Sequence, residues 1–256
     1  MRQIIAVSSC MLKELLRKKD FYVLFIMMGI FLTFFASQSF FGIEGVSRYV
    51  IDIGYSISIF FSVIIAVVTA ARQLPSEIAS RTIYPLLAKP ISRSKIIIAK
   101  FFGSLGVSIV SFSMFFAVFL FFYVDAGYAS SVVLVAQSYI MGCFLMCMVT
   151  SLTVFLSNFL TLSANVTITF LIFVVSVNFF GSLRKTFISA EGILSFLTGA
   201  VYYLFPHFEF YDMRIRVVHV WGDLPTNVVF AITVYTLAYC CALLVLSGAV
   251  FKRRPL

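Results

Sequence analysis

Segment 72–100 carries charged residues with the spacing of a short helix. Glu77 and Arg81 are four residues apart, so their side chains would share one helical face and could pair. A helix that starts at Pro75 and Ser76 would also place Glu77 in its first turn, where the helix dipole favours a negative charge. The pattern therefore predicts a short docking helix with a charged rim.

The same segment carries an apolar strip beside the charged pair. Ile78, Thr82 and Ile83 form this strip, Pro85 limits the helix to about two turns, and Pro90 separates it from the second part. A charged loop between apolar spans is usually a solvated connector, and that interpretation stays open. A stubby helix with an apolar strip favours the alternative, which is insertion into a cleft of a partner.

Other kinds of chemistry lack the residues that they need. The sequence contains no Gly-x-x-x-x-Gly-Lys-Ser/Thr phosphate loop, so the chain is not expected to hydrolyse ATP by that chemistry. No cluster of nucleophile, acid, base or metal ligand suggests an intramembrane enzyme. The cysteines are interpreted as small apolar packing residues, with no disulfide framework or metal site; they are Cys10, Cys143, Cys147, Cys240 and Cys241.

The elements that position segment 72–100 are predicted to be transmembrane helices. Of the residues, 62% are hydrophobic and only 11% are charged, and the mean hydropathy is +1.08, which is too apolar for a water-soluble domain. Six uncharged runs are long enough to cross about 30 Å of hydrocarbon as helices. They cover residues 21–41, 53–71, 101–124, 131–156, 160–183 and 228–251. We expect one all-α polytopic membrane domain over residues 1–256.

The basic residues predict the orientation of this domain. Fourteen of the 19 Lys and Arg residues lie in segment 72–100 and in the two terminal segments, and five lie on the opposite side. By the positive-inside rule, both termini and segment 72–100 face the cytoplasm. The net charge of +9 is explained by this topology, and nucleic acid is not an expected partner.

Segment 72–100 also resembles a known family. Its order and approximate spacing of Glu77, Thr82, Leu86, Leu87, Pro90, Arg93 and Lys100 is similar to the cytoplasmic coupling segment of ABC-2 type transporter permeases, although Arg81 stands where members often have Gly. The resemblance implies an exporter in a prokaryotic inner membrane, a second permease subunit, and cytoplasmic ATPase subunits that bind ATP and Mg while this chain binds no cofactor. The docking residues would be Glu77, Ile78, Arg81, Thr82, Ile83, Leu86, Leu87, Pro90 and Arg93.

Two further segments are expected to lie at membrane surfaces. Residues 1–20 have an apolar helical face and a basic remainder, as in an interfacial helix that anchors the chain at the membrane surface. The family resemblance suggests a compatible second role, as a connector helix beside the ATPase docking site. Residues 184–227 join the last two spans on the exoplasmic side, and a seventh crossing there would put the basic residues 252–254 outside. A re-entrant or interfacial helical pair is expected instead, an arrangement that the resemblance also implies, with the aromatic residues of 202–211 as interface anchors or, less favoured, a substrate gate.

The predicted domain therefore divides into residues 1–20, 21–71, 72–100, 101–183, 184–227 and 228–256. No Asp, Glu, Lys, Arg or His lies within the six spans, which disfavours ion-coupled carriers and favours a lipidic, amphipathic or apolar substrate. Gln137, Asn165 and Asn178 could bind a polar solute, but interhelical hydrogen bonds explain them as well. His207 and His219 are expected to be surface groups. The alternative function is an ATP-independent channel or carrier.

Overall fold

A computed structural model describes residues 19–38, 46–79, 93–125, 132–189, 199, 202, 205–219 and 221–253. Within these ranges the chain forms helices joined by turns and short extended pieces, with no β-strand. The expected all-α fold class is confirmed for this part of the chain. The predicted interfacial helix falls almost entirely on residues 1–18, which lie outside the described residues.

Seven α-helices are described. They are α1 (Lys19–Gln38), α2 (Val46–Ala79), α3 (Arg93–Asp125), α4 (Val132–Leu156), α5 (Leu162–Ser189), α6 (Arg214–His219) and α7 (Thr226–Arg253), and a 3₁₀ helix over Phe208–Tyr211 precedes α6. Of these described helices, the five from α2 to α5 and α7 are long and apolar enough to cross a membrane. The predicted first span coincides with α1, and its crossing of the membrane stays a prediction.

Helix α2 lies at the centre of the bundle, in contact with α1, α3, α4, α5 and α6. Its contact with α3 is the most extensive. Both helices contain buried serines, small residues of a kind that favours close helix packing. Each of these serines is buried and donates its hydroxyl to the carbonyl four residues earlier, so that no hydroxyl is left unsatisfied; they are Ser58, Ser62, Ser104, Ser108 and Ser111.

Aromatic side chains fill the remaining space between the helices. Phe115 of α3 contacts Phe25 of α1 and Phe61 of α2, with ring centroids 6.0 Å apart in both pairs. Phe112, also on α3, stacks on Tyr139 of α4 at 5.6 Å. These contacts join α1 through α4 into one core, against which α5 and α7 pack with most of their surface exposed.

The helices extend beyond the predicted spans. The second span was predicted over residues 53–71, whereas α2 runs from Val46 to Ala79. Likewise α5 continues to Ser189, past the predicted limit at residue 183. A window chosen for uncharged residues ends at the first charge, but a helix continues wherever its backbone hydrogen bonds persist beyond the apolar layer.

Candidate functional site

The predicted docking segment is described only at its two ends. Glu77 and Ile78 lie in the last turn of α2, and Arg93 is the first residue of α3. The remaining predicted docking residues lie outside the described residues; they are Arg81, Thr82, Ile83, Leu86, Leu87 and Pro90. The docking helix therefore stays a prediction, while the structure shows which helices carry it.

The predicted helix start at Pro75 and Ser76 is wrong. Pro75 lies inside α2, which continues from the apolar span to Ala79 without a break. Proline is common in the first turn of a helix, and this preference led to the prediction. Near the end of a long helix a proline is tolerated at the cost of one backbone hydrogen bond, here that of the Ala71 carbonyl. Glu77 therefore lies at the carboxyl end of a helix rather than in its first turn.

Lys100 ties the two ends of the docking segment together. Its side chain is 3% exposed, and Nζ donates a hydrogen bond to the backbone carbonyl oxygen of Gln73 at 3.0 Å. A buried ammonium group is unfavourable unless hydrogen bonds satisfy it, so this contact holds α2 and α3 side by side. An apolar cluster joins the same ends of these helices to α4 and α7; it consists of Ala70, Ile97, Val154 and Phe251.

The Lys100 end of the bundle is the more basic of the two ends. In the described ranges it carries the cations Arg72, Arg93, Lys95, Lys100, Lys252 and Arg253. The opposite end, which holds α6, combines five cations with five carboxylates in the described ranges; they are Arg48, Arg184, Lys185, Arg214, Arg216, Asp52, Asp125, Glu209, Asp212 and Asp223. The helix ends thus separate charge as the sequence predicted, although the side of the membrane that each end faces stays a prediction.

At the α6 end, residues 205–213 fold inward between the long helices. The Ser176 hydroxyl of α5 donates to the Pro206 carbonyl at 2.7 Å and accepts from the Phe208 N–H at 2.9 Å. The Tyr211 hydroxyl lies 2.7 Å from Thr236 Oγ1 of α7 and donates to it, because Thr236 donates in turn to the Ile232 carbonyl. These bonds satisfy polar groups of a buried, non-spanning backbone, as such a segment requires.

This arrangement corrects the assignment of the aromatic residues as interface anchors. Phe208 and Tyr211 are buried inside the bundle, so they do not anchor the protein at a membrane surface. Phe210, in contrast, is exposed. The 3₁₀ helix has only four residues, which is too short for a periodic pattern of buried and exposed side chains. The sequence alone therefore does not show which aromatic rings are buried.

Beside the buried rings lies a cavity of about 370 Å³. Its walls come from α2, α4, α5 and residues 208–214; they are Tyr55, Ser56, Ile59, Phe60, Leu145, Phe173, Val174, Val177, Asn178, Phe208, Tyr211, Asp212 and Arg214. The size lies within the range of small-molecule sites, and the lining is mainly apolar with a few polar groups. The cavity is therefore a candidate binding site.

Charged groups surround the mouth of this cavity. Arg214 Nε lies 3.4 Å from Asp52 Oδ1, and both side chains are partly exposed. The Asp212 carboxylate accepts a hydrogen bond from the Arg214 N–H at 2.9 Å. This site was missed in the sequence because its two acids and one base are far apart in the chain and have no common motif.

The three amides inside predicted spans have mostly structural roles. Gln137 of α4 exchanges two hydrogen bonds with the backbone of Leu224, at 3.0 and 2.8 Å. Asn165 of α5 donates to the Thr153 carbonyl of α4 at 3.1 Å. Among the described residues, Asn178 donates to its own helix, at the Val174 carbonyl, and it lines the cavity. The interpretation as an interhelical hydrogen bond is confirmed for Asn165, whereas Gln137 ties α4 to the connection that precedes α7 and Asn178 remains available to a ligand.

The four cysteines of the described ranges are free, and Cys241 is exposed, so the interpretation as a packing residue is wrong for Cys241. Cys240 of α7 is buried, and its sulfur lies 3.5 Å from that of Cys147 on α4. The hydroxyl of Ser151 lies 3.4 Å from the same sulfur. The group is a buried contact between α4 and α7. Cys10 lies outside the described residues.

The two histidines differ in their surroundings. His219 is exposed, as predicted, but the prediction is wrong for His207, which is only 6% exposed. The His207 ring stacks on Phe210 at 5.0 Å and meets the edges of Phe180 and Tyr202 at 5.4 and 4.4 Å. Burial lowers the pKa of His207, because the charged imidazolium loses hydration there.

Comparison with known proteins identifies the family of the chain. A family model described as "ABC-2 family transporter protein" matches residues 7–256. The match covers nearly all of the sequence, including both the Lys100 end and the α6 end. No curated protein matches the sequence.

Proposed function

The chain belongs to the ABC-2 transporter family, and on this basis we propose that it is the transmembrane permease subunit of an exporter driven by separate ATP-binding subunits. The family match carries the proposal. Membership makes the chain a membrane transport component, and its long apolar helices agree with an integral membrane protein. Export, the ATPase partners and a second permease subunit are parts of the proposal.

Energy from ATP would enter through segment 72–100. The ends of this segment lie on α2 and α3, which are linked by the bond from Lys100 to Gln73 and by the apolar cluster next to it. A force on the segment would therefore move both helices together instead of bending a free loop. This mechanical link supports a docking role better than the solvated-connector interpretation.

A second subunit would complete the transport pathway. Helices α5 and α7 expose broad apolar faces that include Leu171, Phe179, Phe230 and Val245. Such faces suit contact with lipid or with another permease subunit. A dimer of permease subunits with the ATPases on the Lys100 side accommodates both features.

Glu77 provides the test of the docking role. Inverting one member of a close interface pair typically costs about 2–5 kcal/mol, against about 0–1 for a solvated surface charge. We expect Glu77→Lys to abolish ATPase activity and transport by the complex and to leave membrane insertion unchanged. The measurements are co-purification with an ATP-binding cassette subunit, nucleotide hydrolysis and substrate export in vesicles.

Glu191→Lys is the matched control, because it is the same charge reversal in segment 184–227, predicted to lie on the other side of the membrane. This variant should still assemble with the ATPase. The docking role is wrong if the Glu77→Lys complex assembles, hydrolyses ATP and transports like the parent. ATP hydrolysis by the purified chain alone would contradict the subunit assignment itself.

A further inference from the structure

We propose that the cavity at the α6 end binds an amphipathic amine, with the cationic group at the mouth near Asp52 and Asp212 and the apolar body among the aromatic rings. The ligand's role as a substrate rests on the proposed transport function. Its binding does not, because the cavity is formed by this chain alone.

The shape of the cavity suits a compact apolar body. Five aromatic residues line it, and several are fixed by neighbours outside the cavity. Tyr55 meets the edge of Phe119 at 5.5 Å, and Phe60 meets that of Phe170 at 5.5 Å. The Phe173 and Phe208 rings lie 5.8 Å apart. Rings held in this way need little reordering when a ligand enters, and their faces attract cations.

One wall of the cavity contains a hydroxyl group that lacks a partner. Tyr55 is 2% exposed, and its hydroxyl lies near the Met213 backbone but makes no well-formed hydrogen bond among the described residues. A buried polar group without a partner is unfavourable, so such groups in native proteins point to a missing water or ligand. The N–H of a protonated amine would donate to the Tyr55 oxygen, and Asn178 offers a second polar group in the same wall.

The charges at the mouth favour a cation over an anion. Asp212 and Arg214 line the cavity, and the carboxylate of Asp52 lies next to them, paired with the Arg214 guanidinium. Arg214 pairs with Asp52 through its side chain, whereas the Asp212 carboxylate accepts a hydrogen bond from the backbone N–H of Arg214. The additional carboxylate attracts a cationic ligand and repels an anionic one. It has no net electrostatic effect on a neutral acyl chain.

The ligand class is tested with three photoreactive probes that share one benzophenone skeleton. 4-Benzoylbenzylamine carries a cation, 4-benzoylbenzyl alcohol is neutral and 4-benzoylbenzoate is an anion. Membranes that contain the full chain with its native partner subunits are irradiated with each probe without ATP, and labelled peptides are mapped by mass spectrometry. We expect the amine to label residues 55–60 and 173–178 several-fold more than the alcohol, and the anion to label them least.

Substitutions around the mouth should move this labelling in opposite directions. Asp212→Asn keeps the oxygen that accepts the Arg214 N–H and should lower amine labelling about two- to fivefold, the range of a partly exposed ion pair. Arg214→Gln removes the competing cation and should raise amine labelling. Asp223→Asn, a change at an exposed carboxylate outside the cavity, should alter nothing. Ile59→Trp fills the cavity and should abolish labelling by the amine and the alcohol alike.

Equal labelling by the amine and the alcohol would overturn the proposal and identify the cavity as a pocket for neutral lipid chains. Labelling outside residues 55–60 and 173–178, or no response to Asp212→Asn and Arg214→Gln, would also overturn it. None of these outcomes concerns the ATPase partner, so the proposed transport function would fail separately, in the co-purification and hydrolysis measurements.

Discussion

At the scale of single residues, His207 is the group whose environment departs most from expectation. The Tyr235 hydroxyl accepts a hydrogen bond from the His207 backbone N–H at 3.1 Å and lies 3.3 Å from Nδ1. When the Tyr235 hydroxyl donates to Nδ1, the neutral imidazole carries its hydrogen on Nε2. Nε2 is buried and has no hydrogen-bond partner in the described part of the chain. The neutral ring thus fits its aromatic enclosure, and an imidazolium would not.

The lowered pKa of His207 predicts a stability that falls in acid. Above the ordinary pKa of about 6.5 the side chain is neutral in both the folded and unfolded states, and its contribution is complete. As the pH falls below that value, the unfolded state binds the proton first, and stability is lost until the folded pKa is reached. The melting temperature of the purified protein should therefore decrease between pH 7.5 and pH 5.5.

Two glutamine variants separate His207 from other titrating groups. His207→Gln removes the titration and should flatten this pH dependence, whereas His219→Gln changes an exposed ring and should leave it as in the parent. An identical pH response of His207→Gln and the parent would show that other groups cause the acid sensitivity.

At the scale of elements, the sequence pattern located the long helices and predicted a non-spanning connection between α5 and α7, but it did not show which residues of that connection are buried. Every helix that crosses a lipid bilayer needs about 20 consecutive apolar residues, so the positions of α2 to α5 and α7 followed from composition alone. The inward course of residues 205–213 depends on bonds to Ser176, Tyr235 and Thr236, which belong to helices distant in sequence. The cavity could not be predicted for the same reason, because its mouth pairs Asp52 with Arg214 across 162 positions.

The interface between α3 and α4 depends on the absence of a side chain at Gly142. A Cβ atom there would overlap the buried ring of Phe112. Because Phe112 is also stacked on Tyr139, its ring has little freedom to retreat. Gly142→Ala should destabilise the protein by about 1–3 kcal/mol through overpacking, measured as a lower melting temperature in detergent.

Gly106→Ala is the matched control within the same helix pair. No atom lies within 4 Å of the added Cβ, so the change should be neutral or stabilise α3 by up to about 1 kcal/mol through helix propensity. A Gly142→Ala variant as stable as Gly106→Ala would mean that α3 and α4 pack less closely than described.

At the scale of the whole molecule, α2 connects the two candidate sites. Tyr55 lies in the wall of the cavity, and Gln73 accepts the hydrogen bond from Lys100 at the other end. A helix rises about 1.5 Å per residue, so these residues lie roughly 27 Å apart along one element. A displacement of segment 72–100 would thus reach the cavity through a single helix, which is the link that the proposed transport cycle requires.

The number of membrane crossings decides whether both termini share a side with segment 72–100. Cysteines introduced at Asp223 and Lys252 lie at exposed positions on opposite ends of the bundle. With an impermeant thiol reagent outside intact cells, Asp223→Cys should react and Lys252→Cys should not, with labelling of the parent as background.

A third variant, Ser9→Cys, tests whether α1 crosses the membrane. We expect Ser9→Cys to be protected like Lys252→Cys, because six crossings return the chain to its starting side. Reaction of Ser9→Cys with the external reagent would leave five crossings and an exoplasmic N-terminus, and the six-span topology would be wrong.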